Sequence, residues 1–381
     1  MDDCDALIVG GGPSGSSCAW ALARAGVNVA VLDRQTFPRD KVCGGWITPQ
    51  VIDSLELDLS DYSRSRTLQP ITGFLTGAIS GRVNESRYPQ PVSYGIRRVE
   101  FDDYLLRRSR ARLFEGEPLS SLERVGQFWL VNRHIRARVL VGAGGHFCPV
   151  ARHINPALHD DVVVAAQETE FEMTPREQQS CAVRGEIPEL YFCRDLRGYG
   201  WCFRKGNFLN IGLGRLDPHH LGAHVADFVR FLHSARRISF DLRSKLLGHA
   251  YLLYGRTNRK ILADGVLLIG DSAGLAYAQS GEGIRPAIES GLLAAQTIVD
   301  ANSRYSRENL EPYRRRLADR FGNQEEWSTR VGRNLPPAVM SSLGRLLLAT
   351  PWFARTVVVE NWFLHTSDPA LKPEPEAVAV S

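Results

Sequence analysis

The sequence predicts an α/β protein with a Rossmann-like nucleotide-binding sheet, an inserted antiparallel sheet and a helical C-terminus. Three observations carry that expectation. Residues 5–33 read as a strand, a glycine turn, a helix and a second strand ending in an acid. A wholly apolar strand at 266–269 runs into Gly270-Asp-Ser-Ala-Gly274. Between these pieces, short stretches rich in β-branched and aromatic residues alternate with turns, the texture of an antiparallel sheet with one buried face.

The opening unit is the most specific. Gly10, Gly12 and Gly15 fit the dinucleotide fingerprint, and each has a physical task. The first permits the tight turn, the second lets backbone amides approach a pyrophosphate, and the third lets the helix pack on the sheet. The helix start offers N–H groups and the positive end of the dipole to phosphates. Pro13 suits that first turn, where a missing N–H costs nothing. Asp33 closes the second strand, placed to accept hydrogen bonds from a ribose.

A turn-rich loop follows at 36–46. Residues 50–90 are mixed in pattern, with short strands expected around 71–79. The stretch 92–114 reads as an extended segment entering a helix, with Phe101, Leu105 and Leu106 at helical spacing. Strands are expected at 130–132 and 138–142, then at 162–171, 190–193, 199–203 and 208–214. Helices are expected at 223–236 and 242–247, a strand at 250–254, and a long helix at 284–301. Residues 310–365 look largely helical, and the Pro-containing end from 367 reads as a flexible tail.

Composition narrows the function classes. With 46 basic and 42 acidic residues, the net charge of +4 gives no reason to expect nucleic acid. Seven cysteines form neither CxxC pairs nor a Cys/His metal spacing, so no metal site is expected. An odd thiol count without a leader segment suggests a reduced, cytoplasmic setting. No apolar run approaches the roughly 18 residues that a membrane span requires.

Asp271 follows a buried strand, where an acid points into a ligand crevice and can accept from a polyol chain. The glycines after it, including Gly281 and Gly283 before the Ile284 helix, let the chain pass close to a large planar group. Together with the opening fingerprint, these residues resemble a flavoprotein of the p-hydroxybenzoate hydroxylase fold and, within it, the geranylgeranyl reductase family. The resemblance spans roughly residues 4–300. It implies FAD as cofactor and an FAD-binding domain of residues 1–70, 96–155 and 255–305. Residues 71–95 and 156–254 would form the substrate domain and 306–366 a C-terminal helical segment.

The resemblance also assigns residues. Gly10, Gly12, Pro13, Ser14 and Gly15 would cradle the phosphates, with Asp33 and Arg34 beside the adenosine ribose. Arg98, in Arg98-Val-Glu-Phe-Asp-Asp-Tyr-Leu, matches an arginine that contacts FAD. Gly270, Asp271, Gly281, Gly283 and Ile284 would line the ribityl and flavin side. Phe37-Pro-Arg-Asp-Lys-Val-Cys-Gly-Gly45 resembles the reductases' segment beside the flavin ring, which places Cys43 and Gly44 there. Tyr199-Gly-Trp-Cys-Phe-Arg-Lys-Gly206 resembles their Tyr-x-Trp-x-Phe-Pro-Lys-Gly strand, with Arg204 replacing the proline. Tyr199, Trp201 and Phe203 alternate along that strand and so share one face. That face could wall a prenyl tunnel or simply pack a core. Cys43, Tyr199 and Trp201 are therefore the candidate catalytic residues, Cys43 because a protonated thiol can donate a proton.

The implied reaction is reduction of carbon–carbon double bonds in an isoprenoid or other apolar substrate. A flavin monooxygenase on a lipophilic or aromatic molecule is the alternative. A halogenase is disfavoured by the absence of Trp-x-Trp-x-Ile-Pro, and a flavin electron-relay protein is the non-enzymatic reading. Gly144 stands where the fold usually carries an aspartate, in Gly142-Ala-Gly-Gly, which leaves the electron donor open between NAD(P)H and a carrier protein. Residues 343–365 are apolar with arginines and two tryptophans. Packing over the core is their expected role, with peripheral membrane contact the alternative suited to a lipid substrate.

Overall fold

A computed structural model describes residues 1–156, 163–217, 219–242, 245–322 and 337–372, with side chains of the last segment from 342. Two large sheets and one small one make up its β-structure. The first has eight strands. Its parallel centre runs Val266–Leu268, Ile135–Gly142, Asp2–Val9, Val29–Asp33 and Arg112–Glu115, in that spatial order. Leu7, Ile8, Val31, Val139, Leu140 and Leu267 are essentially removed from solvent. Covered on both faces, the first four read as apolar runs, which is why they were visible in the sequence. The edge strand Arg112–Glu115, half-exposed, instead falls at the end of the 92–114 stretch that was expected to enter a helix.

The second sheet has seven strands, in the order Leu247–Leu252, Val163–Glu172, Phe208–Arg215, Gly198–Lys205, Glu189–Phe192, Gly73–Ala78 and Val83–Arg87. All its pairs are antiparallel except one, Glu189–Phe192 with Gly73–Ala78. That parallel pair splices the strand expected near 71–79 onto the insertion. A three-stranded sheet of Trp46–Ile47, Leu68–Ile71 and Ser93–Ile96 bridges the two. The opening helix Pro13–Arg24 and the later helix Ile284–Asp300 lie side by side, both buried over most of their residues.

The structure corrects several expectations. The helix expected at 242–247 is absent at its described residues: Leu242, Lys245 and Leu246 are irregular, and Leu247 opens an edge strand. From Leu247 on, pairing with Val163–Glu172 overrides the local helical spacing. The mixed region 50–90 holds two short helices, Pro49–Ser54 and Leu59–Tyr62, each opened by its own signal, Pro49 in one and the Asp58 cap in the other. The expected tail begins tethered. The carbonyls of Asp368 and Pro369 accept from Arg285, Arg320 also donates to Pro369, and Leu371 packs partly buried against the core. Residues 373–381, with Val162 and 323–336 from the expected strand and helices, lie outside the described residues.

The C-terminal segment 343–365 does two things. Leu348, Val358, Val359, Phe363 and Leu364 are buried with Trp46, Phe192 and Trp201, as core packing requires. Leu343, Leu346, Leu347 and Trp352 face outward, the last 68% exposed. No helix among the described residues is long and apolar enough to cross a membrane.

Candidate active site

One cavity of about 910 Å³ runs from the glycine turn to the face of the second sheet. Gly10, Gly12, Pro13, Ser14, Asp33, Arg34, Cys43, Gly44, Arg98, Tyr199, Trp201, Asp271, Gly281, Gly283 and Ile284 all line it. Residues from the two ends of the chain and from the inserted sheet are thus brought together. Gly15 and Gly270 stand behind the wall. A Cβ at Gly15 would overlap the Gly10 carbonyl, and one at Gly270 would press on Ser14.

The nucleotide end has the shape its glycines imply. Gly10 has φ +120°, and a Cβ there would overlap the backbone of Ala143. The opening helix begins at Pro13 after an N-cap, Gly12, that brings no side chain, and Gly12, Pro13 and Ser14 line the cavity there. Asp33 accepts from Gly11 N at 2.7 Å and from Gln35 N at 2.8 Å, which shapes the turn as well as the ribose corner. Arg39, not singled out by sequence, lies beside Gly12, 3.1 Å from Asp102. Its Nη1 is buried and has no hydrogen-bond partner among the described residues. A guanidinium beside the helix start that keeps one nitrogen unspent fits the pyrophosphate of FAD.

Arg98 is only 8% exposed and grips Asp102 through two bonds of 2.7 and 2.8 Å. It lines the cavity, yet much of its donor capacity is already used within the protein. Beside it sits Cys43, whose thiol is pushed up by burial, against the pull of the neighbouring Arg98. Gly144 also lines the cavity, close enough to Cys148 that a Cβ would meet it at 3.2–3.4 Å. An aspartate at 144 would require the Cys148 turn to move.

A charged group at the far wall was missed in sequence. Lys41 Nζ lies 3.0 Å from His249 Nδ1, and His249 Nε2 lies 3.5 Å from Asp271. Burial lowers Lys41 to about 8 and also keeps His249 below its ordinary value. Burial opposes ionisation of Asp271, but the His249 bond and the Lys41 and Arg98 charges outweigh it and hold its carboxyl low. Asp271 is therefore ionised and partnered, in the right state to accept from a ribityl hydroxyl.

The second sheet presents an ordered face. Tyr199, Gly214 and Ala166 form one cross-strand row, and Trp201, Gly212 and Glu168 the next. Phe203, Asn210 and Glu170 form a third. A Cβ at Gly212 would overlap both the Trp201 indole and the Glu168 side chain, so this glycine lets the large and the acidic residue share one row. Trp201 Nε1 donates to Asn210 at 2.7 Å, and Asn210 Nδ2 donates to the Cys43 carbonyl at 3.1 Å. Cys43 N in turn donates to Glu168 Oε1. The Cys43 peptide is thus held at both ends by the sheet. Tyr199 spends its hydroxyl on the Ser280 carbonyl at 2.6 Å, leaving its ring toward Trp201 and Phe363. Trp46 adds its ring against Phe203 with centroids 5.0 Å apart.

Sequence reasoning passed over Glu168 and Asn210. The available signal was the run of Glu168, Glu170 and Glu172 at period two, which puts three acids on one face of a strand otherwise expected to be buried.

Comparison with known proteins agrees with this geometry. A family model described as FAD dependent oxidoreductase matches residues 5–74. The chain is 32% identical over 352 residues to a menaquinone reductase of Mycobacterium tuberculosis, covering 84% of this chain and 81% of that protein. It is 25% identical over 345 residues to a digeranylgeranylglycerophospholipid reductase of Methanocaldococcus jannaschii, covering 84% and 83%. Among solved structures, a geranylgeranyl bacteriochlorophyll reductase-like protein from Thermoplasma acidophilum superposes with a TM-score of 0.72 at 20% identity, covering 92% of each chain.

Proposed function

The chain belongs to the geranylgeranyl reductase-like family of FAD-dependent oxidoreductases, and from that premise we propose that it saturates carbon–carbon double bonds of an isoprenoid chain. The observation that carries this reading is the aromatic wall. Trp46, Tyr199, Trp201 and Phe203 stand beside the Cys43 turn in the same cavity as the phosphate turn. An apolar chain laid along that wall would be shielded from water and would meet the cofactor's ring end at Cys43.

Bound FAD supplies an electron pair as hydride. The protein's part is grip, orientation and proton control. Gly10, Gly12, Pro13, Ser14 and Gly15, with Arg39, hold the pyrophosphate, and Asp33 and Arg34 hold the adenosine ribose. Gly270, Asp271, Gly281, Gly283 and Ile284 hold the ribityl and flavin side, Arg98 braces the Cys43 turn, and Cys43 and Gly44 flank the ring. Tyr199 and Trp201 face the substrate. Residues 1–70, 96–155 and 255–305 form the FAD domain, 71–95 and 156–254 the substrate domain, and 306–366 the helical cover. NAD(P)H or a small electron-carrier protein reduces the site. The protein works in the cytoplasm and touches a lipid surface through Leu343, Leu346, Leu347 and Trp352, flanked by Arg345 and Arg355.

The test is anaerobic. FAD-loaded protein reduced with dithionite is given geranylgeranyl diphosphate, or separately a menaquinone, and products are weighed by mass spectrometry. A gain of two hydrogens per alkene is the expected result. Turnover that requires oxygen and adds an oxygen atom would replace this reading with a monooxygenase.

A further inference from the structure

Glu168 stands out as a buried acid for which the cofactor grip has no use. It is 4% exposed, sits on a strand paired on both sides and lines the cavity beside Cys43 and Trp201. Its Oε1 accepts from Cys43 N. Its Oε2 is buried and has no hydrogen-bond partner among the described residues. A carboxylate left with one bare oxygen in such a place is costly, whereas a carboxylic acid with a free O–H is an unspent donor.

We propose, building on the reductase reading, that Glu168 is the proton donor of this site. One oxygen fixes the Cys43 turn and the other delivers the proton that completes saturation. The balance is simple. A hydride from the reduced flavin, which is thereby oxidised, bonds to one alkene carbon. The O–H bond of Glu168 breaks, a C–H bond forms at the neighbouring carbon, and Glu168 is left as a carboxylate that regains a proton from water after product leaves.

The surroundings agree. The groups facing Glu168 are the Cys43 amide, Lys205 and Arg98, which favour its charge, and Glu170, which opposes it. Glu170 already neutralises Lys205 through a 2.7 Å bond, and Arg98 is bound to Asp102. Burial therefore prevails and raises Glu168 to about 7. The rival donor, the Cys43 thiol, is raised above an ordinary value of 9.0 and is the weaker acid. A carboxyl poised near neutrality matches the acid that general acid catalysis favours.

Glu168→Gln separates the two duties, because a glutamine oxygen still accepts from Cys43 N but the side chain has no proton to give. The FAD-loaded variant should keep its flavin absorbance. In single turnovers with geranylgeranyl diphosphate it should slow by roughly a hundredfold. Wild-type rate should fall as pH rises through about 7, and this fall should vanish in the variant. A wild-type rate that holds to pH 9 and is lost in Cys43→Ala but not in Glu168→Gln would overturn the proposal in favour of the thiol. A second readout needs no substrate. Infrared difference spectra of FAD-free and FAD-loaded protein should show a protonated carboxyl band that titrates near neutrality and is missing in Glu168→Gln. A carboxyl already ionised at pH 5 would also overturn the proposal. Should the wild type reduce no isoprenoid at all, the infrared titration still judges Glu168, so the two failures are distinguishable.

Discussion

The phosphate turn and the polar-aromatic face of the second sheet share one cavity but are built in opposite ways. The first is local in sequence: Gly10, Gly12, Gly15 and Asp33 lie within one strand–helix–strand unit, closed by the Gly11 to Asp33 bond and backed by Ala143 at the end of a neighbouring strand. The second is assembled from afar. Cys43 meets Glu168 and Asn210, 125 and 167 residues away in sequence, on strands that pair only in the folded protein. The phosphate end of the cofactor grip thus rests on one contiguous unit, and the face that meets substrate rests on the pairing of three strands.

The largest effect should come from breaking that contiguous unit. In Gly15→Val a branched side chain would overlap the Gly10 carbonyl beneath the turn, where backbone rather than a flexible side chain is in the way. We expect near-complete loss of bound flavin and a large fall in melting temperature, read from absorbance and thermal unfolding. Retention of flavin would mean that the turn tolerates what its packing forbids. The sheet face should break differently. Gly212→Ala would push a methyl into the Trp201 indole and the Glu168 side chain. The expected cost is about 3 kcal/mol of stability with flavin retained. Turnover should fall steeply, and tryptophan fluorescence should change as Trp201 leaves Asn210. Equal flavin loss in the two variants would erase the distinction.

This contrast also explains what the sequence could and could not disclose. The turn was legible because its residues act at fixed short spacings, and the central strands because burial on both faces leaves them uniformly apolar. Tyr199, Trp201 and Phe203 were legible as one face of a strand, but not what lay opposite them. That required the register Trp201–Gly212–Glu168, which no single stretch contains. At Leu247, the end of the helix expected at 242–247, the same reason holds, since the pairing of Leu247–Leu252 is decided by Val163–Glu172. Arg39 was hidden differently: it sat inside a quoted motif, and only its place beside Gly12, with Nη1 buried and bare, sets it apart from the exposed arginines.

The smallest effect concerns pH, and its sign sharpens the comparison. Burial raises Glu168 from an ordinary 4.5 to about 7 in the folded protein. A raised folded value means that the native state holds the proton more tightly than the unfolded chain, so stability is full below 4.5 and declines as pH rises toward 7. Above that, the loss is constant, with a ceiling of about 3 kcal/mol. Glu168→Gln removes the titration. It should therefore match or fall slightly below the wild type at pH 4 and exceed it at pH 8. A gain of about 2 kcal/mol is expected, because the glutamine amide brings an unpaired N–H of its own. Denaturant unfolding at the two pH values measures this. A stability difference independent of pH would mean that Glu168 is ionised in the fold, and the sheet face would then be a structural wall like any other. A difference that grows with pH would mean that the protein accepts a standing loss of stability to keep one acid uncharged beside Cys43, a cost that nothing in the phosphate turn requires.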